Sequence, residues 1–231
     1  MDFLVWLILS IALVIGFHFA LSFFGSGGSK LAQSIHIARR IQHCFTGFII
    51  LGLYGQLGHQ RGVWVCLAAT VMFTVFDRVR LLIPQWNDWL VREWRWLMRP
   101  HELHSPVGSV YFLWGASAVL VLTENSAIVY MSVLTLSVCD PVASMCGIYF
   151  GGPKLIGQKS VAGSLGVAFS SLLIAVLYTW ASGQFVNPLA AIAVAILAEL
   201  VTVPWVDDNL TIPMLCCLQY QALNYLGLIL L

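Results

Sequence analysis

The chain has 231 residues, of which 60% are hydrophobic and only 9% are charged. A soluble domain carries about 25% charged residues, so this composition excludes a soluble enzyme and a disordered chain. The formal net charge of +1 supplies no basic surface for nucleic acid, and no nucleic-acid partner is expected.

Apolar runs of about 17–23 residues recur along the whole length, as membrane-spanning helices require. Barrel strands would instead alternate over about 10 residues. We therefore predict an all-α polytopic membrane protein with about eight transmembrane helices, forming a single domain over residues 1–231. The predicted spans are roughly Phe3–Phe24, Ile41–Leu57, Val63–Ile83, Val107–Leu122, Ala127–Phe150, Ala162–Ala181, Pro188–Val203 and Ile212–Leu231.

The segment Pro84–Pro100, between the third and fourth spans, mixes tryptophans with arginines. This mixture predicts an amphipathic helix lying in the plane of the membrane interface. Ten of the eleven lysines and arginines fall in odd-numbered loops, and only Arg61 lies in an even one. The excess of positive charge predicts that the odd loops face the cytoplasm.

Six cysteines are scattered through apolar segments without any CxxC pair, which predicts buried free thiols. The stretch His101-Glu102-Leu103-His104 is not a zinc-protease motif, and no zinc site is predicted there.

Two polar groups mark the predicted cytoplasmic face in the first half of the chain. Arg39 and His43 are four residues apart and share a face of the predicted helix. They either anchor the helix at the cytoplasmic surface of the membrane or belong to a functional site. Asp77 and Arg78 end the third span, as an interfacial ion pair or as site residues.

The richest polar group begins at Asp140-Pro141 inside the fifth span and continues through several glycines to Lys159. An acid within a span is costly and is a functional candidate. Glycines allow backbone amides to approach an anion, and lysines add positive charge, so the group suits a metal–phosphate complex. The alternative is a flexible cytoplasmic connection. A Walker A loop is rejected because Gln158 separates Gly157 from Lys159.

The fourth polar group contains Glu199 and then Asp207-Asp208-Asn209 at the end of the seventh span. Clustered oxygen ligands at a membrane boundary suit Mg²⁺, which commonly bridges to substrate phosphate. A solvated acidic turn is the alternative, with Glu199 an intramembrane acid paired with an arginine.

Basic anchors, a glycine-lysine loop and clustered acids on one membrane face favour phosphoryl transfer, which depends on positioning and charge neutralisation. The acceptor is expected to be a lipid. A small-solute transporter using Asp140 and Glu199 is the alternative from another class, but no inverted repeat is found in the sequence.

The same residues carry a resemblance to a known family. From roughly Ala38 to Pro213 the chain resembles the CTP-dependent lipid kinases, namely the yeast-type diacylglycerol kinase with phytol kinase and dolichol kinase as relatives. Arg40 stands where that family has lysine. The matching elements are Arg39-Arg40-Ile41-Gln42-His43; Asp140, Ala143, Gly147 and Gly151; Lys159-Ser160-Val161-Ala162-Gly163-Ser164; Asp208-Asn209-Leu210-Thr211-Ile212-Pro213; and, for the diacylglycerol branch, Asp77-Arg78, Pro84, Asn87, Met98-Arg99 and Glu102.

The resemblance implies an integral membrane kinase of the endoplasmic reticulum with its active site facing the cytoplasm. Such an enzyme transfers the terminal phosphate of CTP to diacylglycerol, with Mg²⁺ or another divalent cation, and yields phosphatidate and CDP. Phytol or dolichol remains the alternative acceptor. The sequence leaves open whether the protein forms an oligomer.

The resemblance also implies roles for individual residues. Asp140, Asp207, Asp208 and Asn209 are the candidates for holding the metal, with Asp140 also a catalytic candidate. His43, Asp77 and Asp208 are alternative acceptors of the lipid hydroxyl proton. The candidates for the nucleotide phosphates are Arg39, Arg40, Gly147, Gly151, Lys154, Lys159, Ser160, Gly163 and Ser164.

Overall fold

The computed structural model describes residues 37–201, 203 and 205–228. The predicted first span, Phe3–Phe24, lies outside these residues. The chain divides into two compact units, the first ending at Leu113 and the second beginning at Trp114. Each unit is mainly helical, which confirms the predicted all-α class.

In the N-terminal unit, the described residues from Ile37 onward form two long helices that pack against each other, followed by a short one. Gly58 lies between the long helices in the left-handed region, with φ of 74°, a conformation that glycine adopts at low cost. Pro84 begins the short helix, where its missing N–H is not needed. The helices are α1 Ile37–Leu57, α2 His59–Leu82 and α3 Pro84–Trp94.

The predicted interfacial helix is shorter than expected. After α3 the chain forms two 3₁₀ turns, Arg95–Leu97 and Pro100–Leu103. Arg99 between them is extended, with φ of −74° and ψ of 153°. Pro100 disfavours the helical conformation for the residue before it, so a single helix to Pro100 was wrong.

The C-terminal unit is built around a helical segment that changes hydrogen-bonding pattern in its middle. Helix α5 continues into a π-helical turn, Thr135–Cys139, and then into α6. Asp140 donates its backbone N–H to the carbonyl of Thr135, five residues earlier. The α-helices of this part of the chain are α4 Gly108–Leu122, which crosses the division between units, α5 Ser126–Leu134, α6 Asp140–Tyr149, α7 Val161–Ser182, α8 Pro188–Leu200 and α9 Asp208–Tyr225.

Local sequence explains where several of these helices begin. Asn125, Asn187 and Asp207 each accept hydrogen bonds from backbone N–H groups of the first turn that follows, at α5, α8 and α9. Such caps satisfy donors that have no partner within the helix. The core of the unit is formed by fully buried apolar side chains, among them Val129, Leu136, Val167, Ala195 and Cys216.

The glycine-lysine connection between α6 and α7 is more ordered than predicted. Strands β1, Lys154–Ile156, and β2, Lys159–Ser160, form an antiparallel hairpin. Gly157 in its turn has φ of 54°, which glycine accommodates without a Cβ clash. The all-α prediction therefore missed one small strand pair.

Among the described residues, two helical segments are long and apolar enough to cross a membrane, Ser126–Tyr149 and Val161–Ser182. Helices α4 and α8 are apolar but shorter. The outward side chains of Trp180 and Leu189 are largely exposed, as suits lipid-facing surfaces. The number of eight spans stays a prediction. Four of the six cysteine thiols are buried, as predicted, whereas Cys44 and Cys146 are partly exposed.

Candidate functional site

Lys159 joins two acidic residues that lie far along the chain from it. Its Nζ donates to Oε1 of Glu199 at 2.8 Å and to Oδ2 of Asp208 at 2.9 Å. Lys159 ends the hairpin just before α7, Glu199 lies in the last turn of α8, and Asp208 begins α9. Three elements of the C-terminal unit therefore meet at one ammonium group.

The environment of this ammonium keeps it charged. Burial by itself lowers the pKa of Lys159, but the carboxylates of Glu199 and Asp208 outweigh burial and raise the pKa above its usual value. The Glu199 side chain is buried, whereas the Asp208 side chain is partly exposed. A ligand can therefore approach the group from the side of Asp208.

A third carboxylate, that of Asp140, also acts on this site. Asp140 and Asp208 both act electrostatically on Glu199. We call Asp140, Lys159, Glu199 and Asp208 the lysine cluster. The cluster contains three carboxyl groups and one ammonium, and carboxylate oxygens are the ligands that hard divalent cations prefer.

Close packing between α6 and α7 fixes the position of Asp140 relative to the start of α7. A Cβ atom on Gly163 would lie 3.0 Å from the carbonyl oxygen of Ala143, and one on Gly166 would lie 2.8 Å from Sγ of Cys146. Side chains at these two glycines would push the helices apart. Ser160 caps α7 by accepting the N–H of Gly163 at 3.2 Å.

The remaining phosphate-binding candidates of this unit have varied surroundings. Gly147 lies near the same cap, because a Cβ there would come 3.1 Å from Oγ of Ser160. Gly151 has φ of 64°, next to the hairpin. Lys154 is exposed and donates to the carbonyl of Gln158 at 2.9 Å. Oγ of Ser164, in the first turn of α7, is buried.

The acidic residues at the start of α9 differ in what they do. Asp207 caps the helix, since its Oδ1 accepts the N–H of Asn209 at 2.9 Å. Asn209 is buried. Asp208 points to Lys159 instead. Of the predicted metal candidates, Asp140 and Asp208 are therefore the ones that belong to the lysine cluster.

The N-terminal unit holds a second polar group, which we call the arginine network. Arg80 donates to Asp77 Oδ1 at 2.9 Å and to Asn87 Oδ1 at 2.6 Å. It also donates to the carbonyl oxygens of Glu102 and Ser105. The network consists of Asp77, Arg80, Asn87 and Glu102, and ties the end of α2 to the chain that follows it. Asp77 is thus paired with Arg80 rather than with the adjacent Arg78.

The basic anchor predicted around residue 40 is helical, and all three of its site candidates lie in α1. Arg39 and Arg40 are half-buried there. The ring of His43 meets the ring of Phe112 edge to face, with 4.7 Å between centroids. These residues belong to the N-terminal unit, whereas the lysine cluster belongs to the C-terminal one.

Two residues of these groups were missed or misassigned from the sequence. Glu199 was expected to pair with an arginine, but its partner is Lys159. Arg80 was not among the site candidates. Among the described residues, no group of three or more histidine, cysteine or acidic side chains has a metal-binding arrangement.

Comparison with known proteins decides the family. A protein from Schizosaccharomyces pombe named CTP-dependent diacylglycerol kinase 1 is 30% identical over 211 residues, which is 83% of this chain and 95% of that protein. This chain belongs to the CTP-dependent diacylglycerol kinase family. The resemblance seen in the motifs is thereby confirmed.

Two further members of the family are similar over shorter shares of their length. The CTP-dependent diacylglycerol kinase 1 of Saccharomyces cerevisiae is 28% identical over 218 residues, covering 80% of this chain and 72% of that protein. That of Eremothecium gossypii is 32% identical over 133 residues, covering 56% and 41%. No family model and no solved structure matches the chain. Together with its two long apolar helices, these relatives identify a membrane protein.

Proposed function

We propose that this protein transfers the terminal phosphate of CTP to the hydroxyl of diacylglycerol, giving phosphatidate and CDP. The observation that carries the proposal is the match to a CTP-dependent diacylglycerol kinase over 95% of that protein's length. All three relatives are named for diacylglycerol, which favours it over phytol or dolichol, and none supports a transporter.

The lysine cluster supports this proposal chemically. Lys159 is held between Glu199 and Asp208 at the start of α7, where backbone N–H groups give the helix end a partial positive charge. Such an end attracts phosphate oxygens. We assign the nucleotide phosphates to Lys159, Ser160, Gly163 and Ser164, with Gly147, Gly151 and Lys154 beside them and Arg39 and Arg40 as further cationic candidates.

A divalent cation fits the lysine cluster. The carboxyl groups of this cluster suit Mg²⁺, which proteins commonly hold with one or two carboxylates plus substrate phosphates. Asp140 and Asp208 are the residues that would hold it, with Asp207 and Asn209 adjoining. When bound, the cation neutralises charge on the phosphates during transfer.

The reaction needs one bond made, one bond broken and one proton moved. The lipid hydroxyl oxygen bonds to the terminal phosphorus of CTP while the bond from that phosphorus to the bridging oxygen of CDP breaks. The hydroxyl proton passes to a protein base. His43, Asp77 and Asp208 are the candidates, and Asp208 is already engaged by Lys159 through Oδ2.

We place the enzyme in the endoplasmic reticulum membrane with the lysine cluster facing the cytoplasm, where CTP is present. The basis is the resemblance and the distribution of lysine and arginine along the chain.

The test is a phosphoryl-transfer assay with the purified full chain in detergent–lipid micelles. Labelled CTP and labelled ATP are each offered with diacylglycerol, phytol and dolichol, with and without Mg²⁺. We expect labelled phosphatidate from CTP and diacylglycerol only when a divalent cation is present. Transfer to phytol or dolichol but not to diacylglycerol would contradict the assigned acceptor, and turnover with ATP but not CTP would contradict the donor.

A further inference from the structure

We propose that Glu199 is a positioning residue, which holds the ammonium of Lys159 so that its third N–H meets a phosphate oxygen of the nucleotide. This inference rests on the proposed function and deepens it within the C-terminal unit. The contact that carries it is short, since Nζ of Lys159 lies 2.8 Å from Oε1 of Glu199. Glu199 was not among the site residues that the sequence suggested.

The ammonium of Lys159 has one donor more than it has partners. A lysine ammonium carries three N–H groups and no acceptor. One donates to Glu199 and another to Oδ2 of Asp208. Among the described residues, Lys159 has no third hydrogen-bond partner. Because the donors are arranged tetrahedrally about Nζ, the third points away from both carboxylates and is available to an anion.

The two carboxylates that hold Lys159 have different access to a ligand. The side chain of Glu199 is 8% exposed, whereas that of Asp208 is 35% exposed. Glu199 therefore holds the ammonium from the buried side, and the open side is that of Asp208. Asp208 is also a candidate for the cation, which would compete with Lys159 for its carboxylate. Glu199 is the partner that no proposed ligand competes for.

Helix packing fixes both ends of the contact. Ala191, Ala195 and Glu199 are four residues apart in α8 and all three are buried, so they share the inward face of that helix. Helix α8 packs against α7. Lys159 directly precedes Ser160, the residue that caps α7. The packing of two helices thus determines where the Glu199 carboxylate lies relative to Lys159.

A fixed carboxylate is useful because lysine is flexible. The four-carbon stem has many conformations, and restricting them costs entropy. A contact already formed without ligand meets part of this cost before the nucleotide binds. Stability alone does not explain the pair, since apolar residues of similar volume often replace a buried ion pair without loss of stability.

Glu199→Asp tests the assignment, because it keeps the charge and withdraws the carboxylate by one methylene. A misplacement of about 1 Å can lower the rate by about 100-fold. We expect kcat/KM for CTP to fall by about 10- to 100-fold on that scale, with an unchanged KM for diacylglycerol. The control is Glu124→Asp, the same change at an exposed position of the same unit, which should leave both values unchanged. A near-normal kcat/KM for CTP in Glu199→Asp would overturn the proposal, whatever its melting temperature.

Glu199→Gln tests the same role by the sign of its effect, and replaces Glu199→Asp if that variant does not fold. It removes a negative charge near the proposed phosphate site. If Glu199 acts only through its charge, this removal favours the anionic nucleotide and kcat/KM for CTP should rise. If Glu199 positions Lys159, kcat/KM should fall, because a neutral amide binds an ammonium less strongly than a carboxylate does. A rise or an unchanged value would contradict the proposal.

A double-mutant cycle separates a positioning residue from one that contacts the nucleotide or the cation itself. CTP affinity is measured from the rise in melting temperature that CTP produces, with Mg²⁺ present. Glu199→Asp should weaken CTP binding in the wild type and have no effect in the Lys159→Met background. Equal weakening in both backgrounds would overturn the proposal. Absence of CTP-dependent phosphorylation by the wild type would instead refute the proposed function.

Discussion

Gly115 in α4 leaves no room for a side chain beside Asn209 in α9. A Cβ atom at Gly115 would lie 2.5 Å from the carbonyl oxygen of Asn209 and 2.7 Å from Cγ of Pro213. Pro213 lies inside α9 and has no N–H to offer to that carbonyl, four residues earlier. The close approach packs α4 against the first turns of α9, whose first residue is Asp208.

Gly115→Ala is therefore expected to displace the start of α9 and separate Asp208 from Lys159. Overpacking of this kind costs about 1–3 kcal/mol. We expect a lower melting temperature and a lower kcat. In the double variant with Pro213→Ala, which removes the colliding Cγ, kcat should recover in part.

The control for this prediction is Gly52→Ala in α1, where no atom lies within 4 Å of the added Cβ. Alanine is the better helix former, so stability should stay equal or rise slightly. Equal losses in both variants would show that the contact with Asn209 is not the cause.

Lys159→Met is expected to destabilise the protein and abolish activity. It leaves the buried carboxylate of Glu199 without its countercharge, and removing one partner of a buried pair costs about 3–5 kcal/mol. Adding Glu199→Gln should restore much of the melting temperature without restoring phosphoryl transfer. Recovery of both would mean that Lys159 serves only to neutralise Glu199.

The exposed Lys154 provides a stability control, since its ammonium bonds only to the carbonyl of Gln158 among the contacts described. Lys154→Met should change the free energy of unfolding by less than about 1 kcal/mol. The pKa of Lys159 lies above its usual value. The charge on Lys159 should therefore contribute to stability in full below the ordinary lysine pKa, and this contribution should decline as the pH rises through the raised pKa of the folded protein.

Asp140→Asn is expected to leave stability unchanged or slightly raised while abolishing phosphoryl transfer. The substitution preserves volume and removes a negative charge that acts on Glu199. A role in holding the cation requires that charge, whereas a structural ion pair requires it for folding. Specific activity per folded protein and the melting temperature in detergent distinguish these two roles of Asp140. Near-normal activity of the variant would exclude Asp140 as a metal ligand.

Arg80→Met should be among the most destabilising single changes in the N-terminal unit. The side chain is 1% exposed, and its loss leaves Asp77 without a countercharge, at a cost of about 3–5 kcal/mol. Arg92→Met is the control, because its side chain is 73% exposed beside Glu93, and such surface pairs contribute about 0–1 kcal/mol. Similar unfolding midpoints for the two variants would show that the arginine network does not stabilise the fold.

Membrane topology can be measured with single cysteines at exposed positions. Gln158→Cys, in the hairpin turn, should react with a membrane-impermeant thiol reagent in intact microsomes if that loop faces the cytoplasm. Gln184→Cys, between α7 and α8, should react only after permeabilisation. The opposite pattern would reverse the proposed orientation. Asn209-Leu210-Thr211 is a glycosylation sequon. It cannot replace this test, because Asn209 is only 4% exposed.

The positions of the helices followed from the sequence because apolar length and local caps act over short distances. The runs ending near Leu57, Leu122 and Ser182 were recognisable from composition. Helix α6 lies within the predicted fifth span, and α7 extends one residue beyond the predicted sixth span at each end. The C-terminal end of α3 was not recognisable from the sequence, because two short 3₁₀ turns replace the rest of the expected helix before and after Arg99. The hairpin was missed because two strands of three and two residues leave almost no alternating pattern.

The partners of charged residues were decided by tertiary structure. The sequence marked Lys159, Asp208 and Asp140 through their motifs, but Glu199 reaches Lys159 across 40 positions and only folding shows it. Arg80 joins Asp77 to Glu102 and Ser105 in the same way. The sequence shows which charged residues lie in apolar segments and are therefore costly to bury. Which partner offsets that cost depends on how the helices pack, and local sequence patterns do not specify this packing.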